Sequence, residues 1–213
     1  MNTKLIFTIL SIFLFTNILL AQDKEAENLL KELSEKTNAF DNIKVSFAYK
    51  MLNEEAGIDE TTNGTLLVSG NKYHLNIAGQ EVISDGATLW TYLVDSEEVQ
   101  VNEVIEDEGF SPNKLLSSYN EEYTSKKEDD IIKDGKKFYQ LKLKPIDKES
   151  SFDFVRLIID AEKMQLESFI MYDFESNIFS YNIKQFVSNT DISNSEFTFD
   201  NAKYPDVEVI DMR

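Results

Sequence analysis

The sequence lacks cysteine, so disulfide bonds and thiolate metal sites are excluded and packing must stabilise the fold. It contains one histidine, His74, and no motif around it supports a Ser-His-Asp triad or a zinc site. With three prolines and seven glycines there is no Pro-rich or Gly-rich linker, and no repeat of about 20 to 50 residues is visible. These absences predict a single domain without catalytic activity, metal or cofactor.

Positive charge is also scarce. The 213 residues contain 21 Lys and Arg against 39 Asp and Glu, a net charge of −18. The phosphates of nucleic acids and anionic lipid headgroups would repel such a chain. Acidic runs at 106–108 and 129–130 do not have the spacing of a calcium loop, and we interpret them as solvated loops. A soluble monomer is expected.

The N-terminus has the features of a secretory signal peptide. Lys4 precedes an apolar run from Leu5 to Leu20, and Ala21 is followed by a polar, charged stretch. The run is short for a membrane span, which leaves an uncleaved anchor as the less favoured alternative. We expect residues 1–21 to be removed and residues 22–213 to form one exported domain.

Hydrophobic periodicity predicts one helix followed by many strands. Ala26, Leu29, Leu30, Leu33 and Phe40 form an apolar stripe on an N-terminal amphipathic helix. From Ile43 the period falls to two, and this alternation recurs in segments separated by turn residues. The predicted strands are 43–50, 62–69, 73–78, 88–94, 99–104, 137–144, 151–159, 166–173, 178–187 and 196–199. An antiparallel meander that curls to reduce its exposed edges is expected.

One predicted strand is apolar on both faces. Asp85-Gly86 predicts a two-residue hairpin turn, and beyond it Trp90 and Tyr92 alternate with Leu89, Thr91 and Leu93. A sheet with two apolar faces needs two apolar partners. We interpret one partner as the core and the other as a lid or a bound ligand.

A short helix interrupts the predicted meander. Ser111 is a helix N-cap residue, Pro112 suits the first helical position, and residues 113–119 allow about two turns. Leu115 and Leu116 are its apolar side chains, between acidic flanks. Such a helix is expected to act as a flap at the rim of the sheet.

Five segments together resemble the family of the periplasmic outer-membrane lipoprotein carrier protein LolA. In order they are 64–68, Ser84-Asp85-Gly86-Ala87-Thr88-Leu89-Trp90-Thr91-Tyr92, 99–101, 112–116, and 197–199 with 205–211. The resemblance implies an incomplete antiparallel β-barrel whose apolar cavity is covered by an N-terminal helix and a short lid helix. It also implies a periplasmic carrier of acylated lipoproteins, which takes them from an inner-membrane release ABC transporter to an outer-membrane acceptor.

The resemblance and the apolar pattern together select residues expected to line the cavity and its lid. They are Leu30, Leu33, Phe47, Tyr49, Leu66, Val68, Tyr73, Leu75, Trp90, Tyr92, Leu115 and Leu116. In the family an arginine that latches the lid follows the segment matching 64–69, whereas this sequence has Gly70, followed by Asn71 and Lys72. Lys72 is a weaker substitute because it lacks the fixed donor fork of arginine.

A second function stays open at this point. The same half-barrel is suited to a module that senses a lipid or lipoprotein, or that delivers another lipid to the outer membrane. Identification of the bound molecule would separate these alternatives from general lipoprotein transport.

Overall fold

A computed structural model describes residues 24–104 and 122–213 of the chain. Within these ranges a helix, α1, covers residues 24–38, and two short 3₁₀ helices cover Asn194–Phe197 and Asn201–Lys203. The strands are β1 (Ile43–Asn53), β2 (Ile58–Ser69), β3 (Lys72–Ile77), β4 (Gln80–Ser84), β5 (Thr88–Leu93), β6 (Glu98–Glu103), β7 (Tyr123–Lys127), β8 (Ile131–Lys133), β9 (Lys136–Pro145), β10 (Phe152–Asp160), β11 (Gln165–Asp173), β12 (Ile178–Ser188) and β13 (Glu208–Asp211).

All thirteen strands belong to one sheet, in the order β13-β6-β5-β4-β3-β2-β1-β12-β11-β10-β9-β7, with β8 paired to β9. Two antiparallel meanders, β1–β6 and β7–β12, are joined by the pairing of β1 with β12. Among the described residues β7 and β13 lie at opposite ends of the sheet and do not pair. The predicted fold class, a mainly β chain with an unclosed curved antiparallel sheet and an N-terminal helix, is confirmed.

Several local predictions were wrong. Residues 196–199 do not form a strand, because the Ser193 side chain accepts a hydrogen bond from Ser195 N and starts a 3₁₀ helix. The turn at Asp85-Gly86 is longer than two residues, since Ser84 pairs with Leu89. Phe40 lies beyond the end of α1. Hydrophobic periodicity also did not predict β7, β8 or the edge strand β13, which pairs parallel with β6. The short helix predicted at 113–119 lies outside the described residues.

Strand register defines the two faces of the sheet, because directly paired residues project to the same side. The side of the sheet on which α1 packs is called the helix face. There Ala26, Leu30 and Leu33 of α1 join a buried cluster from β9, β10, β11 and the turn after β10, comprising Leu141, Leu143, Val155, Leu157, Ile159, Met164 and Phe169. Register carries this face from Phe169 through Tyr181 of β12 to Tyr49 of β1.

The opposite side, which we call the C-terminal face, has a second and smaller core. Ile83 of β4, Tyr92 of β5 and Val99 of β6 pack there with Phe199, and Tyr204 and Val207 are partly buried against them. The C-terminal segment 191–207 thus covers one end of the sheet, while α1 covers the other end from the opposite side. Each half of the sheet has its own cover.

Candidate functional site

The helix face continues beyond α1 as an apolar surface across β1 to β5. Pairing places Val45, Phe47, Tyr49 and Met51 of β1 in line with alternate residues of the next four strands. Those residues are Leu66 and Val68 of β2, Tyr73, Leu75 and Ile77 of β3, Val82 of β4, and Leu89 and Leu93 of β5. We call this surface the open apolar face. At a strand spacing of about 4.8 Å, five strands make it roughly 19 Å wide.

Side chains of the open apolar face are less buried than those under α1. Leu66, Val68, Leu75 and Val82 are half-buried, whereas Leu141 and Leu157 beneath the helix are 0% exposed. Val45, Phe47 and Tyr73 are the buried members of the open face. At β6 the helix face becomes polar, with Glu98, Gln100 and Asn102 in the paired positions. The apolar area is therefore bounded by the helix-covered core on one side and by a polar edge on the other.

Phe47 and Gly64 form a close cross-strand pair at the centre of this surface. The Phe47 ring lies over Gly64, where a Cβ atom would come 2.6 Å from Phe47 Cε2 and 2.9 Å from Asn76 O. Glycine therefore lets the ring lie flat on the sheet instead of projecting from it. The ring is therefore buried against the sheet, at 5% exposure, beneath the half-buried side chains of the neighbouring strands.

Tyrosines near the junction with the core keep the surface uncharged. The rings of Tyr49 and Tyr181 are 5.1 Å apart, and Phe47 is 5.7 Å from Tyr181. Burial, assisted by the nearby Tyr49, raises the pKa of Tyr181 to about 12, and burial also raises the pKa of Tyr73. These phenols are neutral at neutral pH, so they offer apolar ring surface without a fixed charge.

Trp90 and Tyr92 lie on the C-terminal face, not with the other predicted lining residues. Tyr92 contacts Phe199 and Tyr204 at ring-centroid distances of 5.6 and 4.7 Å, and Trp90 packs at the edge of the same cluster. The second apolar partner expected for this strand is thus part of the chain itself. Sequence parity had separated Trp90 from Leu89, but it could not show which side meets the C-terminal segment.

Polar contacts hold the C-terminal segment on β3 and β4. His74 Nδ1 lies 3.0 Å from Glu196 O, and Lys72 Nζ donates to Asn194 Oδ1 at 3.2 Å. Tyr204 Oη lies 3.5 Å from Glu81 Oε2. His74 thus helps to hold the C-terminal segment in place, and Lys72 projects away from the helix face. Lys72 is therefore poorly placed to replace an arginine that latches a cover on that face.

Gly70 has a structural reason to be glycine. It follows Ser69, which pairs with Lys72, and so begins the two-residue turn between β2 and β3. Its φ of +57° is the value that the first central position of a type II′ hairpin turn requires. An arginine here would be strained by its Cβ atom.

The structure brings together six of the predicted lining residues on one surface: Phe47, Tyr49, Leu66, Val68, Tyr73 and Leu75. Leu30 and Leu33 belong to the buried core under α1, at 1% and 0% exposure. Leu115 and Leu116 lie outside the described residues. The predicted lining omitted Val45, Met51, Ile77, Val82, Leu89 and Leu93, although strict alternation along the strands could have found them.

A depression with both polar and apolar lining residues opens beside the bulge of β1 and β12, and it shares Phe47 and Gly64 with the open apolar face. Its volume is ≈ 480 Å³, and its lining is Ser46, Phe47, Asn63, Gly64, Thr65, Asn76 and Lys184.

In the ranges 24–104 and 122–213 no group of three or more His, Asp or Glu side chains could hold a metal ion. Over the same ranges no helix has the length and apolar character needed to cross a membrane.

An unclosed sheet with an apolar face that its helix covers only in part is a binding fold. The family model of outer membrane lipoprotein carrier protein LolA matches residues 35–200, and the chain belongs to this family. Members of the family are binding and carrier proteins. A search of functionally curated proteins gave no match.

Several solved structures are similar to this chain at low sequence identity. An uncharacterized conserved protein from Thermus thermophilus has a TM-score of 0.59 at 10% identity, covering 88% of this chain and 99% of that chain. A LolA superfamily protein from Nitrosomonas europaea has a TM-score of 0.43 at 13% identity, with coverages of 82% and 97%. Lipoprotein LppX from Mycobacterium tuberculosis has a TM-score of 0.43 at 13% identity, with coverages of 78% and 99%.

Proposed function

We propose that this protein is a periplasmic carrier that shelters the acyl chains of outer-membrane lipoproteins on the open apolar face. The observation that carries the proposal is the half-buried apolar surface across β1 to β5, continuous with the core under α1. Family membership supports the same function. Residues 1–21 would direct export to the periplasm, where the mature chain would act as a monomer.

The physical task accounts for the character of this surface. Each buried methylene contributes about 0.8 kcal/mol, so a multiply acylated protein does not cross water without a comparable shelter. A carrier must also release its cargo, which favours apolar contact over fixed polar contacts. The neutral tyrosines and the leucine and valine side chains of the open apolar face meet both requirements.

No covalent step is needed for this function. Transfer from an inner-membrane release ABC transporter to an outer-membrane acceptor would follow from differences in affinity for the acyl chains. A protein that binds in this way needs neither a cofactor nor a catalytic residue. The direction of transport would be set by the donor and the acceptor.

Binding of a fluorescent palmitoyl probe tests the surface. Leu66 and Leu75 are directly paired on the open apolar face, so Leu66→Asn with Leu75→Asn should weaken probe binding by about tenfold or more. The matched control is Ile158→Asn with Ile170→Asn, two half-buried residues on the C-terminal face. Equal weakening in both folded variants, checked by circular dichroism, would contradict the proposed site.

Mass spectrometry of the molecules that co-purify from the periplasm tests the cargo. Acylated lipoprotein peptides would support general lipoprotein transport. A free small lipid would instead favour a LolA-fold module that senses or delivers another lipid. Loss of the co-purifying molecule in the Leu66→Asn and Leu75→Asn variant would assign it to the open apolar face.

A further inference from the structure

Three cations stand side by side on the C-terminal face, far from the segment that covers β4 to β6. Lys126 of β7 pairs directly with Lys142 of β9, which pairs directly with Arg156 of β10. We call these three residues the cation row. Because directly paired residues project to the same side, their charges are adjacent on one surface. This arrangement occurs in a chain whose net charge is −18.

Like charges in directly paired positions destabilise a sheet, so the cation row needs a compensating reason. Arg156 has one, since its Nε and Nη2 atoms lie 2.8 and 3.3 Å from the carboxylate oxygens of Glu128. Among the described side chains, no carboxylate lies within ion-pair distance of Lys126 or Lys142. Lys142 Nζ instead lies 3.7 Å from the centre of the Phe154 ring. Within the described part of the chain, the charges of Lys126 and Lys142 thus have no carboxylate partner and are accessible to an anionic ligand.

An aromatic stack lies next to the cation row and is held in place by it. The Phe154 and Tyr172 rings are 4.2 Å apart at an angle of 17°, and both are half-buried. Tyr172 Oη accepts a hydrogen bond from Arg156 Nη1 at 2.9 Å. The surface therefore combines fixed cations with a flat apolar patch, and a partner would meet it already organised.

We propose that the cation row and the Phe154–Tyr172 stack form the docking surface for an acidic peptide segment of a partner protein. A peptide can follow the row across three strands, with its carboxylates on Lys126 and Lys142 and its apolar atoms on the stack. This surface is on the opposite side of the sheet from the open apolar face. The proposal therefore goes beyond acyl-chain binding and stands independently of it.

A planar anionic membrane fits this surface less well than a narrow peptide. The β9–β10 connection carries Asp147 and Glu149, and the β11–β12 connection carries Glu175 beside Asp173. Both connections lie at the end of the sheet where Phe154 and Tyr172 are found. A flat bilayer that reached the cation row would bring these carboxylates against anionic headgroups.

Fluorescence anisotropy of a labelled oligoglutamate peptide at low salt tests the proposal with the full mature chain. Lys126→Gln with Lys142→Gln should weaken peptide binding about tenfold relative to the matched control, Lys24→Gln with Lys31→Gln. The control removes the same charge from exposed positions on α1. Peptide binding that is absent from the unmodified protein, or equal in the two variants, would overturn the proposal.

Two further measurements separate the alternatives. Binding of the palmitoyl probe should be the same in both double variants, since neither changes the open apolar face. Flotation with vesicles of equal parts phosphatidylcholine and phosphatidylglycerol should show no binding that depends on Lys126 and Lys142. If vesicles bind through these lysines and the peptide does not, the surface is a membrane contact and the acidic-peptide proposal is wrong.

Discussion

At the scale of single residues, one backbone dihedral angle accounts for the glycine at the position where the family resemblance led us to expect arginine. Gly70 has a φ of +57° in the turn between β2 and β3. Lys72, the next cation along the chain, donates to Asn194 on the C-terminal face. The turn geometry therefore determines the residue type at position 70. A cover of the helix face would need contacts other than an arginine at this position to hold it.

Substitution at Gly70 should follow backbone strain. Gly70→Arg is expected to lower the free energy of unfolding by about 1–2 kcal/mol, because a Cβ atom is unfavourable at positive φ. Gly70→Asn should cost less, since asparagine adopts this region more readily. Urea unfolding of both variants measures the difference. Equal stability of the arginine and asparagine variants would mean that φ does not govern this position.

At the scale of secondary-structure elements, α1 is a part of the core in this structure. Leu30 and Leu33 have 1% and 0% exposure, and they pack on β9, β10 and β11. Lys36 Nζ donates to Lys163 O near one end of the helix, and Glu25 lies 3.5 Å from Lys127 Nζ near the other. A helix held at both ends and along its length is a fixed cover for this half of the sheet.

Truncation of Leu33 tests whether α1 is fixed. Leu33→Ala should destabilise the protein by about 2–5 kcal/mol, because it opens a cavity among fully buried leucines. Glu32→Ala, at an exposed position of the same helix, is the control and should have little effect. A cost for Leu33→Ala below about 1 kcal/mol would show that α1 leaves the sheet readily, and would favour Leu33 as a cargo contact.

A charge network links the start of α1 to the strands and should make stability depend on pH. Asp130 Oδ2 lies 2.7 Å from Lys137 Nζ, and Asp130 Oδ1 lies 2.9 Å from Lys127 Nζ. Partial burial acts to raise the pKa of Asp130, but the contacts with Lys137 and Lys127 outweigh it and hold that pKa below the usual 3.8. The resulting stabilisation is complete above the unfolded pKa and is lost as pH falls through the folded one.

Asp130→Asn should therefore lower the melting temperature at neutral pH, and the difference should disappear in acid, as the pH falls through the folded pKa of Asp130 and the carboxyl group becomes protonated in both states. Asp129→Asn, at the adjacent exposed position, is the control. Thermal unfolding followed by circular dichroism across this pH range measures both. A difference between the protein and Asp130→Asn that did not shrink in acid would exclude the network as its cause.

At the scale of the whole molecule, the sheet has two surfaces with different physical characters. The open apolar face has neutral side chains across five strands, while the cation row lies on the opposite side at β7, β9 and β10. Hydrophobic burial is little weakened by added salt, whereas contacts between exposed charges are screened. Binding at the two surfaces should therefore respond differently to ionic strength.

Raising sodium chloride from about 0.05 M to about 0.5 M should weaken oligoglutamate binding strongly, because the Debye length falls well below about 10 Å. Binding of the palmitoyl probe should stay constant or increase slightly. Titration of both ligands on the same protein preparation gives the comparison. A parallel loss of both ligands would indicate that they share one site.

The sequence by itself determined the elements and their apolar stripes. Period-two alternation identified β1, β2 and β3 and placed Phe47, Tyr49, Leu66 and Leu75 on apolar strand faces, and the spacing of Ala26, Leu30 and Leu33 identified α1. Side-chain alternation is a local property of the backbone, so it can be read along the chain. The five segments that resemble the LolA family added the curved, unclosed sheet.

The tertiary structure decided which elements pair and what covers each apolar face. β1 pairs with β12 across most of the chain, from Ile43 to Ser188, and no local pattern specifies such a partner. For the same reason Trp90 and Tyr92 could not be assigned to the C-terminal face until the segment containing Phe199 and Tyr204 was seen to pack there. Alternation gives a strand two faces, but the long-range packing of the chain determines which of them is filled and which stays open.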